Sequence, residues 1–206
     1  MSKTDVQIGW RQSRRDSARS AILAVAWAIV DEQGLAALSL RDLARRAGIT
    51  TPTVYAYFAS KNAIYDAMFG QAAEQFAEHM GAPHQTQDPR QLLGESLRRF
   101  VEFCTANVAR YQLLFQHVIP GFAPSAQSYA PAERALDLTR DVLALNGIRE
   151  QRNLDLWTAI TTGLVSQQIA NDPGGVRWTG LIDDVVAMFL HYCQQPMPSR
   201  KGRPRP

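Results

Sequence analysis

Apolar residues recur at three- and four-residue intervals along almost the whole chain, the period of a helix with one buried face. Across residues 13–33, Ile22, Ala26, Ile29 and Val30 keep this spacing, and Gly34 follows where a helix C-cap is needed. Ser39-Leu40-Arg41-Asp42 has the form of a capped helix start, with Leu43, Ala44 and Ala47 on the apolar side of a short second helix that ends at Gly48. Thr50-Thr51-Pro52-Thr53 supplies polar caps and a proline suited to a first turn, so a third short helix is expected to run to Phe58. From Ser60-Lys61-Asn62 a long amphipathic helix carries Ile64, Met68, Ala72 and Phe76 as far as a linker at 81–89. Further helices are predicted at 90–109, 111–118, 132–145, 150–170 and 181–191. Residues 120–131, with three prolines and one glycine, read as a loop. Asn146-Gly147 reads as a left-handed helix exit, and Asn171-Asp172-Pro173-Gly174-Gly175 as a break that no helix crosses. No internal repeat or alternating strand pattern is found, so nine helices in an all-α fold are expected.

Length and composition narrow the class. With 206 residues, 46% of them hydrophobic, the chain is long enough for a buried core, as one domain or as a small module fused to a larger one. The apolar run from Ala21 stops at Asp31 and Glu32, well short of the roughly 18 residues a membrane span requires. Residues 1–15 are polar and basic without a following apolar stretch, so a cytoplasmic location is expected. Cys104 and Cys193 lie within apolar helical patterns and lack metal-type spacing, which suits buried free thiols. His79, His84, His117 and His191 are scattered, and no Gly-x-Ser-x-Gly, Walker loop or His-Glu-x-x-His is present. Neither an enzyme nor a metal or cofactor site is expected.

Charge is unevenly distributed. Residues 1–62 carry nine basic and five acidic side chains, whereas residues 63–198 carry nine and fourteen. The tail adds Arg200, Lys201, Arg203 and Arg205. A basic amino-terminal quarter on an acidic body suits one end to a polyanion; a solvated surface of scattered charge is the competing explanation.

The polyanion reading gains substance at residues 38–61, where two short helices joined by Ala47-Gly48-Ile49-Thr50 satisfy helix-turn-helix geometry. Gly48 permits the tight turn, Ile49 plugs the space between the helices, and Leu38, Leu40, Leu43, Val54 and Phe58 are the expected packing partners. The string Leu38-Ser-Leu-Arg-Asp-Leu-Ala-Arg-Arg-Ala-Gly-Ile-Thr-Thr-Pro-Thr-Val-Tyr-Ala-Tyr-Phe-Ala-Ser-Lys61 resembles the DNA-binding signature of the tetracycline-repressor (TetR) family of bacterial regulators, over about residues 14–70. That resemblance implies a three-helix DNA-binding domain at 1–62, a ligand-sensing and dimerisation domain at 63–195, and pairing of two subunits through their last two helices. It implies contacts to double-stranded DNA from Thr51 and Thr53 at base edges or adjacent phosphates, with Thr50 and Pro52 beside them. Tyr55, Tyr57 and Lys61 are implied to meet phosphates. Arg41 is assigned a further base or phosphate contact, and Arg45 and Arg46 general attraction. Each residue also has a structural reading: Thr51 as a cap, Pro52 as a first-turn residue, Tyr55 and Tyr57 as packing groups. Arg11, Arg14 and Arg15 form either a minor-groove arm ahead of the first helix or a solvated segment.

In the second half, Phe103, Tyr111, Phe115 and Trp157, with Phe100 and Phe122, are candidate walls of a pocket for an apolar effector, with His117 as its polar partner; core packing is the alternative for each. The last two helices hold Leu154, Trp157, Ile160, Leu164, Ile182, Val185, Val186 and Phe189 among small residues. That is apolar surface enough for a four-helix interface between two copies, or for burial within one. Residues 196–206 form a basic, proline-rich tail expected to be disordered, with a short resemblance to AT-hook minor-groove binders. The expected activity is therefore a ligand-responsive homodimeric repressor on a near-palindromic operator. A helical small-molecule-binding dimer without specific DNA binding is the rival.

Overall fold

A computed structural model describes residues 3–195, with side chains from Ser13 onward; the tail expected at 196–206 and the Arg11 side chain lie outside them. Among the described residues the regular elements are helices: α1 (Lys3–Gln33), α2 (Leu40–Arg46), α3 (Thr51–Tyr57), α4 (Lys61–Met80), α5 (Pro89–Ala106), α6 (Val108–Phe115), α7 (Ala126–Leu145), α8 (Gln151–Asn171) and α9 (Ile182–Gln194). Single 3-10 turns stand at Leu35–Ala37 and Thr179–Leu181. The all-α class and the number and order of helices are as the periodicity predicts. No helix among the described residues is long and apolar enough to cross a membrane.

Three boundaries differ from the expected ones. α1 begins at Lys3 rather than near residue 13, so Arg14 and Arg15 lie on a helix and not on an arm ahead of it. Asn107 divides the apolar stretch expected as one helix at 90–109: α5 ends at Ala106, and the Asn107 side chain accepts from Arg110 N at 2.8 Å to start α6 three residues earlier than predicted. Half of the loop expected at 120–131 is helical. α7 starts at Ala126 and carries Pro131 within it. A proline inside a helix gives up one backbone hydrogen bond, and the contacts described below compensate at the first turn.

The helices form two compact units. The first joins the residues up to Gly81 with Ala106–Ala135, and the second joins Ala82–Thr105 with the described residues from Leu136. This division runs past residue 62 because α4 packs on α1 and α6. In the first unit Ile29, Leu43, Val54, Ile64 and Met68 are fully buried in one core. Each such side chain contributes about 1.5–3 kcal/mol relative to exposure. The buried Tyr65 hydroxyl donates to Leu35 O at 2.6 Å, fastening the turn after α1 to α4. In the second unit Trp157 of α8 and Phe189 of α9 pack with ring centroids 4.8 Å apart. Gln168 holds the break after α8: its amide oxygen accepts from Trp178 N at 3.0 Å and Thr179 N at 3.1 Å.

Candidate nucleic-acid interface

Two short helices have little stability of their own, so capping and packing must hold them. Ser39 Oγ accepts from Asp42 N at 3.2 Å and opens α2. α2 ends in a Schellman turn: Gly48 N donates to Arg45 O at 3.3 Å and Ile49 N to Ala44 O at 3.0 Å. Gly48 has φ 67°, and a Cβ there would meet nothing within 4 Å, so the demand for glycine is conformational rather than steric. Thr50 Oγ1 accepts from Thr53 N at 3.3 Å and lies 2.8 Å from Thr53 Oγ1, which starts α3. At the other end of α3, the guanidinium groups of α1 meet the open carbonyls. Arg19 donates to Tyr57 O at 2.5 Å and lies over the Phe58 ring, and Arg15 reaches Ala56 O at 3.5 Å. Ser60 Oγ then accepts from Ala63 N at 3.1 Å to begin α4. Leu38, Leu43, Val54 and Phe58 are buried under the pair as expected, with Leu40 and Ile49 half-buried.

The outward surface is unlike the buried one. Arg41 is exposed and has no hydrogen-bond or ion-pair partner among the described residues. Arg45 is exposed but paired with Asp42 at 2.5 Å. Arg46 is half-buried between Asp42 at 3.0 Å and Glu32 at 2.6 Å, so its charge is balanced within the fold and offers little of the general attraction expected of it. The hydrogen bond from Arg45, with the charge of Arg46 beside it, holds the Asp42 carboxyl below its ordinary range against an opposing desolvation. On α3, Pro52, Tyr55 and Ala56 are exposed, Tyr55 by 51%, while Thr51 is half-buried. Thr53 and Tyr57 are also half-buried, Thr53 bonded to Thr50 and Tyr57 packed against the core. Lys61, the first residue of α4, places Nζ 5.4 Å from the centre of the Tyr65 ring.

Comparison with known proteins bears directly on this unit. The sequence model of the bacterial regulatory proteins of the tetR family matches residues 22–68, the stretch from α1 through α2 and α3 into α4. Over that segment the chain is similar to the TetR family. A transcriptional activator, FasR of Mycolicibacterium smegmatis, is 25% identical over 154 residues, 74% of this chain and 69% of its own. The regulator EthR of the same organism is 42% identical over 65 residues, 31% of this chain and 30% of its own. In fold, the TetR-family regulator PfmR of Thermus thermophilus superposes with a TM-score of 0.61 at 19% identity, covering 82% of this chain and 97% of that one. The helix-turn-helix segment is thus similar to that of DNA-binding transcriptional regulators, and the fold as a whole to that of a TetR-family regulator.

The residues expected to wall a single pocket are divided between the two units. Phe115 and His117 line a cavity of about 150 Å³ in the first unit, together with Phe69, Leu113, Phe122 and Tyr129. Tyr111 is buried behind it, its ring 5.9 Å from that of Phe115 and its hydroxyl accepting from Gln116 Nε2 at 3.3 Å. Phe103 and Trp157 belong to the second unit, where Trp157 is buried against Phe189. Sequence reasoning missed Phe69 and Tyr129, whose rings stack 6.0 Å apart across the cavity. It also missed Arg19, since no periodicity marks a side chain that meets a helix end from a different helix.

Proposed function

We propose that this protein is a ligand-responsive homodimeric repressor of the TetR family whose two helix-turn-helix units bind successive major grooves of a near-palindromic operator. The observation that carries the proposal is the family match at 22–68, which falls on a capped and packed α2–α3 pair whose outer face is unpartnered. Residues 1–62 act as the DNA-binding domain and 63–195 as the sensing and pairing domain. The contact set is Arg41, Arg45, Thr50, Thr51, Pro52, Thr53, Tyr55, Tyr57 and Lys61. Within it, exposed Tyr55 and Lys61 at the start of α4 are the principal phosphate donors, and Tyr57 contributes chiefly by packing. Sites for two such units are centred about 34 Å apart.

Pairing through α8 and α9 is supported by what their outward faces carry. Met188 is 56% exposed and Leu181 40%. Ala159, Gly163 and Ala170 are exposed on α8, and a Cβ on Gly163 would meet nothing within 4 Å. A second copy, related by a two-fold axis, covers such a face with itself. The effector binds in the cavity beside Phe115 and His117. A cavity near 150 Å³ accepts a molecule of about one aromatic ring, so a small effector with both an apolar and a polar part is favoured, with His117 as its hydrogen-bond partner.

Fluorescence anisotropy with the DNA flanking the gene, in excess random competitor, tests the reading. Competitor-resistant binding at about 10⁻⁸ M or tighter is expected. Binding erased by competitor, on this DNA and on selected random DNA alike, would support the rival of a helical dimer without specific DNA binding. Deleting the gene should raise transcripts from the bound promoter; a fall would make the protein an activator, as FasR is by name. Met188→Glu should convert dimer to monomer in light scattering.

A further inference from the structure

We infer that two copies of this chain set their α9 helices antiparallel, with Asp184 of each copy against His191 of the other, so that the dimer tightens as the imidazole takes up a proton. The inference rests on the pairing reading above and goes beyond it to the register of the interface and its control by pH. α9 buries Ile182, Val186 and Phe189 on one side. Leu181, Asp184, Met188, His191 and Gln195 lie opposite, at intervals of three and four residues, and all are exposed. Asp184 has no hydrogen-bond or ion-pair partner among the described residues, whereas its neighbour Asp183 is held by Arg98 of α5 at 2.5 Å. His191 Nε2 lies 3.0 Å from Gln195 Nε2 on the same helix, which leaves the ring Nδ1 for a second partner.

This face is complementary to itself. A two-fold axis perpendicular to a helix sets two copies antiparallel, and residues equally far from the axis on either side meet. With the axis between Ala187 and Met188, Met188 of each copy covers the half-buried Ala187 of the other, and Asp184 meets His191 of the other copy. Two turns of helix rise about 10 Å, so the two pairs stand about 5 Å to either side of the axis. A parallel arrangement would set Asp184 against Asp184 and His191 against His191, and like charges face to face oppose association. Between about pH 6 and 8 the imidazole is the side chain of this face that changes charge. Charges that bear on α9 from the elements packed against it, Arg98 of α5 and Glu150 at the start of α8, are constant over that range. Burial, and then the Glu150 charge, push the Cys193 thiol up and keep it neutral. A dimer that holds the imidazolium against a carboxylate binds more protons than two monomers, so association strengthens as pH falls.

The test is the dissociation constant of the full-chain dimer, followed by mass photometry in low salt. It should fall about tenfold between about pH 8 and about pH 6, roughly threefold for each of two ion pairs. Asp184→Asn and His191→Gln should each remove most of that dependence, and the two together should remove no more than either alone. The exchanged pair, Asp184→His with His191→Asp, should restore it, which a histidine acting within its own helix would not do. Should the wild type stay dimeric at every dilution, the rate of subunit exchange between two labelled pools gives the same comparison. A dimer equally tight at both pH values, a dependence that persists in Asp184→Asn, or an exchanged pair that restores nothing would each overturn the inference and leave the pairing reading intact. A chain that is monomeric at micromolar concentration at both pH values, with its circular dichroism spectrum helical, would overturn both.

Discussion

α2 and α7 both open on a serine, yet the two starts are held by different means. Ser39 uses only its neighbours, its hydroxyl accepting from Asp42 N three residues on. Ser125 also accepts from Ser128 N, at 3.2 Å, but its own N and Oγ donate to the Asp66 carboxylate at 2.6 and 3.0 Å, and Ser128 Oγ donates to the same group at 3.0 Å. Asp66 lies on α4, fifty-nine residues before Ser125. α4 and α7 approach closely there, since a Cβ on Gly70 would come within 3.2 Å of Ser128 Oγ. A start encoded in four consecutive residues is legible as a motif. A start assembled from two distant segments is not, because neither segment carries the whole signal. The difference also has a functional side. The Asp66 clasp ties the segment that bears Phe122 and Tyr129 of the cavity to α4, the helix that follows α3 directly.

The contrast can be broken most forcefully at Asp66. Asp66→Ala should destabilise the protein by about 2–3 kcal/mol in urea unfolding, because three donors lose a charged acceptor. Hydrogen exchange should quicken at the first-turn amides of α7. If those amides stay protected, Ser125 suffices locally and the two starts are alike. Gly48→Ala should cost about 1–2 kcal/mol, the penalty of a side chain in the left-handed region, with no change in exchange at α7. Ser39→Ala should cost about 1 kcal/mol, and Ser39→Asp should restore most of it, as expected of a cap that depends on local groups alone.

The smallest effect expected is one of pH. The Asp42 carboxyl titrates below its ordinary value in the folded chain, chiefly through the Arg45 hydrogen bond. The unfolded chain therefore takes up the proton first. The stabilisation is present above the ordinary aspartate range near pH 4 and is lost as pH falls through the depressed folded value. The decline in stability below about pH 4 should be shallower in Asp42→Asn, and the NMR titration midpoint of Asp42 should lie below that of an unfolded control.

Much of the architecture is legible in sequence because its signals are local. The Gly34, Gly48 and Gly147 exits, the Ser39 and Ser60 starts and the apolar spacing each act within one or two helical turns, and the structure has them where they were expected, while α3 is capped by Thr50 rather than by Thr51. Asn107 illustrates a local signal that was overlooked: its cap divides a stretch whose apolar period continues on either side. Pro131 illustrates a signal given too much weight. A proline opposes a helix, but it does not prevent one whose first turn is held from outside.

Sequence by itself determined the class, the order of the helices and the helix-turn-helix segment, because capping, turn glycines and helical period depend on residues a few positions apart. It also nominated the side chains of that segment, without telling which are spent on the fold. Only the tertiary structure decided that Arg46 is neutralised by Glu32 as well as Asp42, and that Pro52, Tyr55 and Ala56 face outward together. It likewise decided that the cavity is walled by α4, α6 and α7 rather than by aromatics in general. Burial, pairing and cavity shape are properties of residues brought together from distant parts of the chain, and no local pattern fixes which distant partner a side chain will meet.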